Sequence, residues 1–350
     1  MKRGSALPSE DILVEHLKAL FATRRRDVIL GVGDDAAIVG IGDPLAIAAD
    51  VLVEDADFRK GADPRRLGRK TLNVNLSDLA AMGAAPLYAV LVVGLPRWVD
   101  RPYFDAFAGG VREAAAEHGV AVVGGDLSAS PVLFASITVL GRPSRNGALT
   151  RTGASPGDAL YVSGTLGAAD AGLRLLEAGY SLSDDKKVRA PKGRRATGER
   201  AAEIARLIRH QSDPRPMVEL GQTLAASSLA SSAMDVSDGL VKDLFRLCRA
   251  SRVSAALDAA LLPVDSALRD LSGLIGLDPL EAALYGGEDF GLLFTVPRRR
   301  LMAVEGLAGR FALRRIGTIV PPGEGARTVV TLSRDGRVSA LADAGFDHFA

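Results

Sequence analysis

The segment Pro64-Arg65-Arg66-Leu67-Gly68-Arg69-Lys70-Thr71-Leu72-Asn73-Val74-Asn75-Leu76-Ser77-Asp78-Leu79-Ala80-Ala81-Met82-Gly83 decides how this chain is read. Proline near the start and glycine just past the end predict a helix over 64–82. Asn75 and Asp78 are three apart and share a face. Asn, Ser and Asp are poor helix formers. Set among Leu72, Val74, Leu76, Leu79 and Met82, they mark a polar site rather than a solvent-facing patch.

Working outward, aspartates recur where apolar runs break into small-residue turns. They stand in Gly33-Asp34-Asp35-Ala36, Ala49-Asp50, Gly124-Gly125-Asp126, Asp235-Val236-Ser237-Asp238-Gly239 and Gly286-Gly287-Glu288-Asp289. An ionised carboxylate is too costly to bury unpaired. Each must find a basic or backbone partner, or together they hold hard cations. The chain has 4 His and 1 Cys, so an oxygen-only ligand set suits Mg²⁺. Magnesium beside glycine turns points to nucleotide phosphates. Ser237 or Asp238 capping a helix that starts near Leu240 would explain one of these sites, not all six once Asn75 to Asp78 is counted with them. Arg151 is suited to bidentate pairing with phosphate. Neither a dinucleotide fingerprint nor a phosphate-binding loop with its lysine is present, so phosphates must be held through metal and glycine amides.

At 350 residues the chain exceeds one ordinary core, and two domains are expected, 1–148 and 149–350. Hydrophobic residues make up 47%, charged residues 24%, and net charge is +1. No global field draws the chain to nucleic acid or to an anionic membrane. The lone Cys248 excludes an internal disulfide and reads as a buried structural thiol. No signal-peptide core follows the basic N-terminus, and the longest apolar run, 87–95, is strand-sized. A soluble cytoplasmic protein is expected. Trp98 and the four histidines read as structural, since their spacing fits no metal site.

Helices are expected over 11–24, 64–82, 103–118, 168–178, 201–210 and 215–229, with another from Leu240. Strands are expected over 28–32, 45–53, 87–95, 120–123, 132–140, 159–163, 233–236 and 291–296. Residues 328–332 and 338–341 flank Arg334-Asp335-Gly336, a hairpin signal. The basic stretch 181–200 reads as a solvated loop. Both halves mix strands and helices, giving an α/β (α+β mixed) protein whose two units share one site.

In this order and spacing, the motifs resemble the thiamine-monophosphate kinase family of the aminoimidazole-ribonucleotide synthetase superfamily. They are Gly31-Val32-Gly33-Asp34-Asp35-Ala36, Asn75 to Ala84, Gly124-Gly125-Asp126, Leu149-Thr150-Arg151, Asp235 to Leu240, Gly286 to Phe290 and Gly345 to Phe349. The resemblance implies an N-terminal α/β domain that dimerises through its sheet, a C-terminal α/β domain, and ATP in a groove across the dimer interface. It implies Asp35, Asp50, Asp78, Asp126, Asp235 and Asp238 as Mg²⁺ ligands. Arg151, Ser237 and the Gly125-Asp126 turn would contact ATP. Glu288 and Phe346 would line the thiamine pocket, and Asp57 stands where the family has a substrate-contacting histidine. The implied reaction phosphorylates thiamine monophosphate by in-line transfer, with no general base because the attacking phosphate oxygen is already ionised. Ala49, Val51, Asp57 and Leu127-Ser128-Ala129-Ser130 depart from the family pattern. The alternative is a related ATP-dependent phosphotransferase or synthetase with another acceptor.

Overall fold

The computed structural model describes residues 28–30, 34–183 and 187–347. The helix expected over 11–24, Gly31-Val32-Gly33, His16 and His348 lie outside them. The first unit runs β1 (Val28–Leu30), β2 (Ala37–Ile41), β3 (Asp43–Val53), α1 (Pro64–Ala81), β4 (Ala85–Leu95), α2 (Arg101–His118), β5 (Ala121–Ala129) and β6 (Phe134–Arg142). Its six-stranded sheet has the order β1-β2-β3-β6-β4-β5, antiparallel except for β4 beside β5.

Helix α1 begins where expected. The Asp63 carboxylate accepts the Arg66 N–H at 2.9 Å, and Pro64 takes the first turn, where its missing N–H costs nothing. It crosses α2 at contact distance. A Cβ on Gly68 would meet the Phe107 carbonyl at 2.0 Å, and one on Gly110 the Arg65 carbonyl at 1.9 Å. Both helices cover one sheet face, burying Ala135, Ile137 and Val139 of β6. The alternate residues point the other way. By register, Ile47, Leu140 and Tyr88 form one row of that second face, and Val51, Ser136, Val92 and Asp126 another. Val51 and Tyr88 remain 48% and 47% exposed there.

The second unit contains β7 (Ala159–Ser163), α3 (Ala168–Glu177), β8 (Ser181–Leu182), β9 (Val188–Arg189), α4 (Gly198–Ser212), α5 (Val218–Ala226) and β10 (Ser232–Asp235). It continues with α6 (Leu240–Ser251), β11 (Ser254–Asp258), α7 (Ser266–Ile275), α8 (Pro279–Tyr285), β12 (Leu292–Val296), α9 (Leu301–Glu305), β13 (Leu313–Val320), β14 (Val330–Arg334) and β15 (Arg337–Ala340). The seven-stranded sheet is ordered β10-β12-β7-β13-β11-β14-β15. Strands β7 and β12 are buried on both faces. Tyr161, Leu292 and Phe294 face a core continuous with the first unit, whereas Leu160, Val162 and Leu293 face α6 and the buried Cys248. Helix α5 seals the junction against α1. The β14–β15 hairpin turns through Asp335 and Gly336, both at positive φ, as a two-residue turn between twisted strands requires.

Two differences from the expectations matter. Gly124-Gly125-Asp126 is not a turn but the middle of β5, which runs on to Ala129. The stretch 181–200 is not only loop, since β8 pairs with β9 and α4 starts at Gly198.

Candidate active site

Three carboxylates from distant parts of the chain meet. Asp35 follows β1, Asp78 lies on α1 and Asp235 ends β10, and they offer oxygens all within 4.8 Å of one another. Ser77 Oγ donates to Asp235 Oδ2 at 2.6 Å, fixing α1 to β10. The Asp50 N–H donates to Asn75 Oδ1 at 2.8 Å, while Asn75 Nδ2 donates to the Thr71 carbonyl at 2.9 Å. The polar trio in α1 therefore has three separate duties: Asn75 holds β3, Ser77 holds β10, and Asp78 enters the cluster.

Arg151 is the cation of this site. Its Nη2 and Nε donate to the two oxygens of Asp35 at 2.7 and 3.1 Å, with Asp34 at 3.9 Å. Among the described residues, one guanidinium does not balance the carboxylates around it. Burial, with the charge of Asp35, pushes Asp34 up to about 6. Burial and the charges of Asp50, Asp235 and Asp35 hold the Asp78 carboxyl well above its ordinary range. Asp235 is raised by burial and by Asp35, against the Ser77 hydrogen bond. A site this short of positive charge, built only from oxygen donors, fits a hard divalent cation such as Mg²⁺.

The Asp-Val-Ser-Asp-Gly turn is not capped by its own side chains. Gly239 is the N-cap of α6 and offers no side chain. Instead Asp243, fully buried in the first turn of α6, accepts the N–H groups of Ser237 and Asp238, each at 3.0 Å. Arg246 Nη1 bridges Asp243 at 3.1 Å and Asp238 at 2.7 Å, and Lys242 Nζ lies 3.4 Å from Asp238. Asp238 thus sits in a pair with basic side chains rather than in the three-carboxylate group. Burial, with the charge of Asp238, raises Asp243 to about 7.

The second acidic loop is laced to the first. The Glu288 N–H donates to the Ser237 carbonyl at 2.7 Å and the Phe290 N–H to the Val236 carbonyl at 2.8 Å. Glu288 and Phe290 hold φ of 65° and 49°, positions that side chains rarely occupy without support. The Glu288 carboxylate meets Lys70 Nζ at 2.6 Å and accepts from Gln211 Nε2. Asp289 turns away and accepts the N–H groups of Gly167 and Ala169 at the start of α3, a structural cap. The Phe346 N–H donates to the Asp238 carbonyl at 3.0 Å, and its ring is 47% exposed beside the loop.

Gly125 and Asp126 lie apart on β5. Asp126 shares its row with Val51 on the sheet face away from the helices, whereas Asp50 shares its row with the buried Ile137. A side chain on Gly125 would strike the Leu91 carbonyl at 1.7 Å, so glycine is required for β5 to pair closely with β4. Asp57 closes the turn after β3, its Oδ2 accepting the Val53 N–H at 2.8 Å. Trp98 Nε1 donates to the buried Glu54 at 3.2 Å, a structural role as expected.

Comparison with known proteins fits this arrangement. Residues 33–142 match the N-terminal domain model of AIR synthase related proteins and 155–330 the C-terminal one. Thiamine-monophosphate kinase from Escherichia coli K12 is 37% identical over 333 residues, covering 93% of this chain and 94% of the relative. The chain belongs to the thiamine-monophosphate kinase family. Its member from Pyrococcus horikoshii is 32% identical over 319 residues, with 90% of each chain covered. The solved structure of AaThiL complexed with AMPPCP and TMP superposes with a TM-score of 0.81 at 29% identity, over 99% of this chain and 100% of that one. Within this family frame, Asp243, Arg246 and Lys70 are the site residues that sequence reasoning missed. For Asp243 the available signal was an acid in the first turn of a helix that lacks a capping side chain.

Proposed function

We propose that this chain transfers the γ-phosphoryl group of ATP to the phosphate of thiamine monophosphate, releasing ADP and thiamine diphosphate. The observation that carries the reading is the convergence of Asp35, Asp78 and Asp235 beside Arg151 in a chain of this family. An acceptor phosphate oxygen forms the new bond to the γ-phosphorus as the bond to the β-phosphate oxygen breaks. No proton need be removed, which accords with a site rich in carboxylates. Asp35, Asp78 and Asp235 would hold Mg²⁺, with Asp50 beside them; Asp126 and Asp238, set apart from this group, are proposed as further ligands on the family pattern alone. Bound there, the metal supplies charge neutralisation between two anionic reactants. Arg151 is placed to exchange Asp35 for phosphate oxygens, with Ser237, Gly125 and Asp126 completing the ATP contacts. Glu288, Phe346 and Asp57 would face the acceptor.

The Asp57 carboxylate accepts the Val53 N–H, which fixes its direction at the turn after β3. We place the working protein in the cytoplasm as a homodimer joined through the first sheet. Among the described residues no helix is long and apolar enough to cross a membrane. The exposed row carrying Val51 also carries Asp126, so pairing of this face would bring Asp126 to the interface groove. The first unit, 1–148, would then serve metal, ATP and dimerisation, and the second, 149–350, would close the groove.

The test is a product assay with purified protein, Mg-ATP and thiamine monophosphate. Thiamine diphosphate formed with stoichiometric ADP supports the proposal. Protein that binds Mg-ATP yet forms no thiamine diphosphate points to another acceptor.

A further inference from the structure

Lys70 is a lysine where the fold asks for an apolar residue. It lies in α1, 2% exposed, on the same helix face as Asn73 and Ser77, which are equally buried. That stripe faces the second unit: Ser77 bonds Asp235, Asn73 Nδ2 donates to the Pro214 carbonyl at 2.8 Å, and Lys70 Nζ stands 2.6 Å from Glu288 Oε1. A buried ammonium costs several kcal/mol unless paired, and replacing such a pair with apolar groups is often neutral or stabilising. Packing therefore does not explain the lysine.

Its partner does. Glu288 sits in a left-handed backbone position, its N–H bonded to Ser237 and its two carboxylate oxygens engaged by Lys70 and Gln211. Helices α1 and α4 and the acidic loop thus converge on one carboxylate. The Glu288 side chain remains 30% exposed, and each of its oxygens has a second lone pair. What is left open is a fixed carboxylate that can accept further hydrogen bonds, with the Lys70 ammonium already beside it. Such a group selects a neutral N–H donor, as on an amino-substituted heterocycle, over a bare cation. Lys70 precedes Ser77 by seven residues on α1, about 10 Å along the helix axis.

We infer that Lys70 is a positioning residue that sets acceptor specificity by holding the Glu288 carboxylate in one orientation, an inference that rests on Glu288 facing the acceptor. The test compares wild type, Lys70→Met, Gln211→Leu and Glu288→Gln by full kinetics in both substrates. The expected result is an acceptor KM raised about tenfold or more in Lys70→Met, with the ATP KM moved by less than about twofold. Gln211→Leu, which strands no buried charge, should move the acceptor KM in the same direction and covers the case in which Lys70→Met fails to fold. Lys70→Met combined with Glu288→Gln should show no acceptor effect beyond Glu288→Gln alone. Equal shifts in both KM values, or no shift in either Lys70→Met or Gln211→Leu, would overturn the inference. Should Glu288→Gln leave the acceptor KM untouched while wild type forms thiamine diphosphate, the placement of Glu288 fails. Absence of product from wild type refutes the activity reading instead.

Discussion

Asp78→Asn should stabilise the metal-free protein while abolishing turnover. Asp78 offers an oxygen within 4.8 Å of oxygens from both Asp35 and Asp235, and the charge of Asp50 also raises it. At an effective dielectric of about 20, two like unit charges about 5 Å apart repel by about 3 kcal/mol. Arg151 offsets part of this through Asp35, and partial protonation relieves more. A net gain of about 1–2 kcal/mol is then expected above neutral pH, or about 1.5–3 °C in melting temperature. The sign with pH follows from the raised pKa. A carboxyl held above its unfolded value contributes stability below that value and loses it as pH rises through the folded pKa. The advantage of Asn over Asp should therefore be present at pH 8 and shrink toward pH 5. Thermal melts in chelator and in millimolar Mg²⁺ at both pH values provide the assay. Wild type should gain stability from Mg²⁺ by mass action, and the variant should gain little. A variant less stable than wild type in chelator at pH 8, or equally responsive to Mg²⁺, would refute the placement of Asp78 in a cation site.

Other outcomes follow from the same geometry. Asp243→Ala strips the Ser237 and Asp238 N–H groups of their acceptor and leaves Arg246 with one partner fewer. It should cost about 3–5 kcal/mol in denaturant titrations, and Asp243→Asn, which keeps an acceptor oxygen, clearly less. Gly221→Ala puts a Cβ 1.9 Å from the Ala80 carbonyl where α5 meets α1, whereas Gly109→Ala on α2 meets nothing within 4 Å. The first should lower stability by more than about 2 kcal/mol and the second raise it by about 0.5–1 kcal/mol, as read in parallel melts. Val51→Lys, on the exposed sheet face, should yield a monomer by sedimentation without loss of secondary structure. A variant that still sediments as a dimer would rule that face out as the interface.

What the sequence disclosed and what it hid divide along physical lines. The bounds of α1 were legible because a leading proline and a trailing glycine are local devices. Its polar face was legible because Asn75, Ser77 and Asp78 contradict the apolar residues around them. The β14–β15 hairpin followed from Asp335-Gly336 for the same local reason. Strands β11 and β13 went unnoticed. Ser254-Ala255-Ala256-Leu257-Asp258 holds no β-branched residue, and Leu313–Val320 carries two adjacent arginines, so only the sheet gives them their form. Reading Gly124-Gly125 as a turn failed because close strand pairing also demands glycine, and nothing local separates the two needs. Asp243 and Lys70 were hidden since their partners lie across a loop or in the other unit.

These hidden residues explain why the site lies between two units rather than within either. A carboxylate group with so little compensating charge weakens any fold that contains it. Here the burden is divided. The first unit supplies Asp35 and Asp78, the second supplies Asp235, and Arg151 comes from the segment between the two sheets. The same helix carries the ties that draw the halves together, Ser77 to Asp235 and Lys70 to Glu288. The Lys70 contact with Glu288 and the charge density at Asp78 are therefore set by one rigid element, eight residues apart on α1. A shift of α1 against the second unit would misplace both together. Its close contact with α5 at Gly221 is accordingly as much a requirement of the site as any carboxylate in it.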